Sequence, residues 1–459
     1  MVKAKFTKII KRDGSIANFD KERITESIYR AAVEVGGRDK DLASIVSDEV
    51  VFSLNKYTHE EEYPSVEEIQ DLIEKILIER GHAKTAKRFI LYRANLQTKG
   101  FDKSQKHQKV FFTGAIPYQK IWNVLVWNLK NNVETIKKLN KIVSDHDKFV
   151  RLMKKSDASY VADVEAAAKR ILERKDELKL VIVAGPSSSG KTTSTIILED
   201  FLKEQGMSIK AINVDNYFHD LETHPKDEFG DYDFEIPQAI DMKLFNEHLK
   251  EMIEGKEINS PIFDFKTGTR VKDESIPLKL EQNQLILIDC LHGLFPDLTS
   301  GVKEEEKFKL YLETLAQQKS SILSKEGSGF VRWTDIRLLR RMIRDKQYRN
   351  YQPEATLTHW HYVRRSELQY IIPYINTVDH ICNGALAYEL PIHKTLMGEN
   401  FPIWADKYKS DPERQDAYLR ADRVRKLFGE VIGATKEQID AVPKNSLFRE
   451  FIGGSKRKY

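Results

Sequence analysis

The stretch Leu180-Val181-Ile182-Val183-Ala184-Gly185-Pro186-Ser187-Ser188-Ser189-Gly190-Lys191-Thr192-Thr193 decides the fold. An unbroken apolar run of this length reads as a strand buried on both faces, which calls for helices on both sides of a parallel sheet. The run leads straight into the pattern G-x-x-x-x-G-K-[ST] and then into residues 193–205, which carry a helical period. In that setting backbone N–H groups cradle phosphate, and the start of the following helix adds the positive end of its dipole. Average composition would produce the eight-residue pattern by chance in roughly 2% of chains of this length. Requiring a strand before it and a helix after it lowers that further. The expected nucleotide-binding residues are therefore Gly185, Ser187, Ser188, Ser189, Gly190, Lys191, Thr192 and Thr193. Lys191 would reach the terminal phosphates, and the Thr192 hydroxyl would sit on Mg²⁺.

Working outward, residues 209–214 and 285–288 are further apolar runs, and strands alternate with helical patterns from residue 178 onward. The expected fold class is α/β: a P-loop NTPase-type parallel sheet with flanking helices. The second run ends in Asn213-Val214-Asp215-Asn216-Tyr217-Phe218. Asp215 thereby falls at the carboxyl edge of the sheet, where open α/β folds bind ligands. A carboxylate there can take the proton of an acceptor hydroxyl while a phosphoryl group moves to it.

The remaining chain is mostly helical in pattern. A strand over 6–11 turns at Asp13-Gly14, and Ser65-Val66-Glu67-Glu68 is a capping box that starts a helix running to Arg80 and ended by Gly81. Residues 121–129, with Trp122 and Trp127 at helical spacing, and the alanine-rich 161–172 read as helices, with the Trp pair expected to pack between domains. The helix expected over 412–432 has a mixed charged face suited to packing on the α/β domain or on a second copy in a homo-oligomer. The expected organisation is 1–98, 99–177 as a helical linker, 178–400, and 401–459 as a C-terminal helical extension.

Composition narrows the classes. The chain has 459 residues, 41% hydrophobic and 31% charged, a globular balance. Seventy-four basic against 70 acidic side chains leave +4, too little to argue for a nucleic-acid partner. There is no run of eighteen apolar residues and no signal-peptide pattern, so the expectation is a cytoplasmic protein without membrane attachment. Cys290 and Cys382 are too few for a disulfide framework or a zinc site.

From about 178 to 394 the sequence resembles the uridine kinase and phosphoribulokinase family. Its Asp-x-[YF]-[YF] segment is similar to Asp215 with Tyr217 and Phe218, which implies Asp215 as catalytic base. Its Phe-Asp-His-Pro-x-Ala-x-Asp segment resembles Phe234 through Asp241, implying Glu235 on the ribose hydroxyls. Pro261-Ile262-Phe263-Asp264-Phe265 and Arg270 resemble a further substrate segment, with Tyr217, Phe263 and Arg270 implied at the substrate. Its Glu-Gly strand end resembles Leu285 to Asp289 with Gly293, which implies Asp289 beside Thr192 on the metal. Its arginine-rich lid resembles Arg340-Arg341-Met342-Ile343-Arg344-Asp345, and with Arg349 just beyond, Arg344 and Arg349 are implied to act with Lys191 on the transferred phosphoryl group. Tyr388-Glu389-Leu390 and the segment Phe448 to Gly454 resemble a nucleoside-kinase-like branch. Phe263 and Gly268 stand where uridine kinases place the tyrosine and histidine that read the pyrimidine, so the polar contacts to the base are missing.

Residues 8–14 and 19–24, with Leu91-Tyr92-Arg93 at the end of the first region, resemble the ATP-cone, an allosteric nucleotide-binding module. The resemblance implies an ATP or dATP effector near Lys11, Arg12 and Arg23. Together these readings predict a magnesium- and ATP-using kinase of a small hydroxyl-bearing metabolite, a nucleoside first. A sugar-phosphate kinase and a nucleotide-responsive regulator without transfer activity are the alternatives.

Overall fold

The computed structural model describes residues 2–10, 16–37, 39–57, 63–80, 82, 85–86, 89, 117–223, 235–264, 267–281, 284–325, 329–349 and 351–457. The chain divides into two compact units, Met1–Ile116 and Pro117–Tyr459.

In the first unit, β1 (Lys8–Ile10) pairs antiparallel with β2 (Ile16–Asn18), and helices α1 (Lys21–Glu34), α2 (Lys40–Tyr57) and α3 (Val66–Glu79) follow. Local chemistry sets the helix starts. Asp20 accepts the Glu22 N–H at α1, and at α3 the Glu68 N–H donates to Ser65 Oγ (3.2 Å) while the Ser65 N–H donates to Glu68 Oε2 (2.8 Å). The apolar stripes of the three helices close over Phe6 through Ile28, Val46, Val50 and Ile73. Arg23 is exposed, with Asp20 3.7 Å away. Lys11 and Arg12 lie outside the described residues.

The second unit opens with helices α4 (Tyr118–Lys130), α5 (Ile136–Val143) and α6 (His146–Glu173), then β3 (Leu180–Ala184), α7 (Lys191–Glu204) and β4 (Ser208–Ile212). Next come α8 (Met242–Ile253), the antiparallel ribbon β5 (Ile258–Asp264) and β6 (Thr269–Leu278), and strands β7 (Gln284–Cys290) and β8 (Lys307–Glu313). Helices α9 (Trp333–Tyr348) and α10 (Pro353–Tyr370) precede β9 (His380–Asn383). Helices α11 (Glu389–Met397), α12 (Asn400–Tyr408), α13 (Gln415–Glu430), α14 (Lys436–Asp440) and α15 (Arg449–Ile452) complete it.

Five strands make one parallel sheet in the order β4-β7-β3-β8-β9. The chain leaves β3 toward one edge and later enters β8 on the other side, so direction reverses at β3. The loop 185–190 leaves the carboxyl end of β3 at that switch point. Successive strand residues enter opposite cores, which is why the central strand β3 is apolar throughout. Val181, Val183, Leu287 and Leu310 pack with α5, α6 and α7, whereas Leu180, Ile182, Ile286 and Ile288 pack with α8. Phe149 and Ile171 of α6 and Leu447, Phe448 and Phe451 near α15 all belong to the first of these cores. The helices around residue 150 and those beyond 430 are thus part of the sheet's own packing. Trp127 also packs there, whereas Trp122 is exposed. Among the described residues no helix is long and apolar enough to cross a membrane.

A buried polar knot ties α6 to the far end of the chain. Asp157 accepts from Ser446 Oγ (2.7 Å) and from the Tyr388 hydroxyl (3.2 Å). Burial pushes the Asp157 carboxyl up to about 7, against the pull of those two hydrogen bonds. A carboxyl raised on folding stabilises the protein fully below its unfolded value and loses that contribution as pH climbs through the folded one. Denaturant unfolding between pH 5 and 8.5 should therefore show the parent losing stability as pH rises toward about 7 and levelling above it, while Asp157→Asn, which cannot ionise, loses less; parallel profiles would contradict this.

Candidate active site

The loop after β3 is shaped by its glycines. Gly190 adopts φ 102°, and a Cβ there would lie 2.4 Å from Leu447 Cδ1; a Cβ on Gly185 would lie 2.5 Å from the Leu312 carbonyl oxygen. Ser188 adopts φ 60°, a conformation that side-chain-bearing residues seldom take. Two wholly buried arginines of α9 hold this backbone from outside. Arg337 donates to Ser187 O (3.3 Å), and Arg340 donates to Ser188 O (3.3 Å), Ser189 O (3.2 Å) and Gly384 O (2.5 Å). Each has its own carboxylates: Glu313 (2.9 Å) and Glu367 for Arg337, Glu389 (2.6 Å) for Arg340. Lys191 lays its ammonium across Gly185 O (3.0 Å) and Pro186 O (3.5 Å). The Ser188 and Ser189 hydroxyls are buried and, among the described residues, meet no hydrogen-bond partner. Buried donors without partners, on a braced loop at a helix start, suit an anion.

Asp215 follows β4, which β7 separates from β3, and sits in a tight turn where the Asn213 side chain accepts its N–H (3.1 Å). It opens to solvent on one side and is crowded by protein on the others. That desolvation pushes its pKa up, while Lys191 and then Arg349 pull it back. Asp289 is the penultimate residue of β7, directly across from Val183 of β3. Burial drives its pKa up to about 6 against the pull of Lys191, with Glu450 and Asp215 adding to the rise. The donors available to a cation are thus a hydroxyl, Thr192, and a carboxylate surrounded by other carboxylates, a hard oxygen set that fits Mg²⁺.

On the acceptor side, Arg341 donates to Glu235 Oε1 (3.0 Å) and to Ser187 Oγ (3.2 Å), joining the expected substrate residue to the loop. The carboxylate of Asp345 gathers three arginines: Arg344 at 2.9 Å, Arg341 at 3.4 Å and the exposed Arg349 at 3.7 Å. Guanidinium groups held this way beside a phosphate cradle can meet charge spreading over a transferred group without first being ordered. Arg337, Arg340, Arg341 and Arg344 recur at helical spacing along α9, and Arg349 follows its end.

Other expectations change. Arg340 was read with the lid, yet it is fully buried and serves the loop carbonyls and Glu389. Tyr217, expected at the substrate, is a core side chain: it is fully buried, its hydroxyl meets His248 Nδ1 (2.9 Å), and its ring lies edge-on to Phe245. Arg270, also expected there, braces the Asp215 turn through Tyr217 O (2.9 Å), Phe218 O (3.0 Å) and Asp241 (3.2 Å). Phe263 is buried beside Phe218, ring centroids 5.7 Å apart. The sequence reading missed Arg337, Glu313, Glu367 and Asp345; the stripe of arginines at helical spacing was the signal that could have found them.

Among the described residues one trio, Asp163, His380 and Cys382, brings metal-ligating atoms within 4.8 Å of one another. Its carboxylate already accepts from Lys120, His380 (3.2 Å) and the Asn383 N–H (2.9 Å), so the cation in this cluster is the lysine.

Comparison with known proteins matches residues 7–97 to the ATP cone domain and residues 180–320 to the phosphoribulokinase/uridine kinase family. Uridine kinase of Deinococcus deserti is 28% identical over 192 residues, covering 42% of this chain and 80% of that protein. Uridine kinase of Brevibacillus brevis is 28% identical over 195 residues, covering 42% and 79%. Among solved structures, a possible uridine kinase from Bacillus stearothermophilus aligns with TM-score 0.28 at 19% identity, covering 33% of this chain and 79% of that one. D-glycerate 3-kinase from Cryptococcus neoformans aligns with TM-score 0.25 at 13% identity, covering 61% and 89%. The chain thus joins an N-terminal ATP cone domain to a P-loop kinase domain of the phosphoribulokinase/uridine kinase family.

Proposed function

We propose that the second unit transfers the γ-phosphoryl group of ATP to a hydroxyl of a nucleoside, with Asp215 as the base. The observation that carries this is the convergence on one loop mouth of Lys191, Asp215, Asp289 and Arg349, near enough for each carboxylate to feel the lysine. The loop from Gly185 to Thr193 would hold the donor phosphates. Asp215 would accept the acceptor's proton as its oxygen forms the new P–O bond and the bond to the ADP oxygen breaks. Its raised pKa fits this role, because a base nearer the working pH drives proton removal harder. Lys191, Arg344 and Arg349 would offset charge on the transferred group. Mg²⁺, with Thr192 and Asp289 as its protein donors, would supply further neutralisation of the phosphates. Glu235, tied to the loop through Arg341, would meet the acceptor hydroxyls.

The nucleoside reading rests on the uridine kinase relatives and on Glu235. A sugar-phosphate acceptor is the second reading, favoured by the arginines that Asp345 holds together and by Phe263, which offers no polar side-chain group to a base. Screening nucleosides and sugar phosphates for acceptor-dependent ADP formation separates the two. With the acceptor found, Asp215→Asn should lower kcat by about 10²–10⁴ and leave ATP binding within a few-fold of the parent; undiminished turnover would remove Asp215 from this role.

The ATP cone domain is proposed to bind ATP or dATP as effector through Lys11, Arg12 and Arg23. If so, replacing Lys11 and Arg12 together by alanine abolishes the effect of added dATP on activity or oligomeric state. A double variant that responds like the parent would count against regulation from this domain.

A further inference from the structure

The start of α7 is not left for the nucleotide alone. Thr193, expected among the phosphate-binding residues, gives its backbone N–H (3.2 Å) and its hydroxyl (2.6 Å) to one carboxylate oxygen of Glu450. Ordinary helix caps come from the residue just before the helix. Here that residue is Gly190, without a side chain, and the carboxylate arrives from 257 positions along the chain. It is delivered by a firmly packed segment. Leu447, Phe448 and Phe451 are fully buried, Leu447 fills the space beside Gly190, Phe451 lies 4.9 Å below the Arg340 guanidinium, and Ser446 is bonded to Asp157. Glu450 itself is half-buried and near enough to Asp289 to raise that group's pKa.

A phosphate-binding helix start offers its donors to one anion at a time. A donor phosphate reaching Thr193 meets a carboxylate already hydrogen-bonded there, and two anions cannot share the same N–H without strong repulsion in a partly desolvated site. We propose that Glu450 is a resident competitor in the donor site, which the incoming nucleotide displaces from Thr193 by swinging the side chain away, so that nucleotide affinity is set below what the loop alone would give. This rests on the reading of loop 185–193 as the ATP site. The segment's buried residues stay packed on average, but the segment loses its anchor on Thr193 as the carboxylate swings away, so its local opening becomes easier.

The test is calorimetric titration of the full chain with a non-hydrolysable ATP analogue and Mg²⁺, comparing the parent with Glu450→Gln. Lys191→Ala in each background isolates the loop's share from binding by the first unit. A charge-assisted hydrogen bond of typical strength corresponds to about a ten-fold change. Glu450→Gln is accordingly expected to bind roughly ten-fold tighter, with the gain absent when Lys191 is alanine. Equal or weaker binding overturns the proposal and makes Glu450 a structural cap. A second readout uses the unaltered chain. Saturating nucleotide should speed amide hydrogen exchange in residues 446–453 as their anchor on Thr193 is released, whereas slower exchange would mean the segment clamps the nucleotide and would equally overturn it. Tighter binding by the variant with no acceptor phosphorylated would defeat the kinase reading and leave this inference standing; transfer activity with unchanged variant affinity would do the reverse.

Discussion

The structure depends on how outward-facing carbonyls of the phosphate loop are satisfied. A backbone that curls its N–H groups around an anion points carbonyl oxygens into the protein, where an unpaired acceptor is expensive. Arg337 and Arg340 answer three of them, at Ser187, Ser188 and Ser189. A buried guanidinium is itself tolerable only with carboxylates in good geometry. Glu313 from the end of β8, Glu367 from α10 and Glu389 from α11 therefore belong to the loop as much as its own residues do. One helix, α9, carries both buried arginines on its inner side and Arg341 and Arg344 next to them. The rigidity of the cradle and the placing of the exposed charges thus come from a single element.

The mouth of the site has an electrostatic character of its own. Asp289 lies within electrostatic reach of Lys191, Glu450 and Asp215, and Asp215 within reach of Lys191 and Arg349. Burial raises the pKa values of Asp215 and Asp289, and at Asp289 the neighbouring carboxylates add to the rise. Carboxylates held this way are hard oxygen donors of the kind that suit a divalent cation.

Much of the scaffold was legible in the sequence because it is written locally. The run from Leu180 to Ala184 followed by glycines and lysine announces strand, loop and helix, and the Ser65–Glu68 capping box fixes the start of α3. Asp215 could be placed at the sheet edge because that position follows from where the strand ends. What sequence reading could not reach depends on partners far apart in the chain. Arg340 looks like any basic residue on an exposed face until Glu389, 49 positions on, buries it. Tyr217 and Arg270 were assigned by likeness to a motif, but His248 and Asp241, brought near by α8, turn one into core and the other into a brace. Trp122 and Trp127 share a spacing, and only tertiary packing tells which is covered.

The long reach between Thr193 and the segment around Leu447 also bears on how the polypeptide is made. During synthesis, the first strand of the sheet and its loop leave the ribosome some 250 residues before Leu447, Phe448 and Phe451, which complete the same hydrophobic core. Contacts so distant along the chain form late and slowly. A nascent chain carrying the whole glycine-rich motif would still expose part of the core surface that those side chains cover, a state in which partly folded domains tend to associate wrongly. Competence of the site is thereby coupled to arrival of the last packed helix, and the length of translated chain becomes a condition for it.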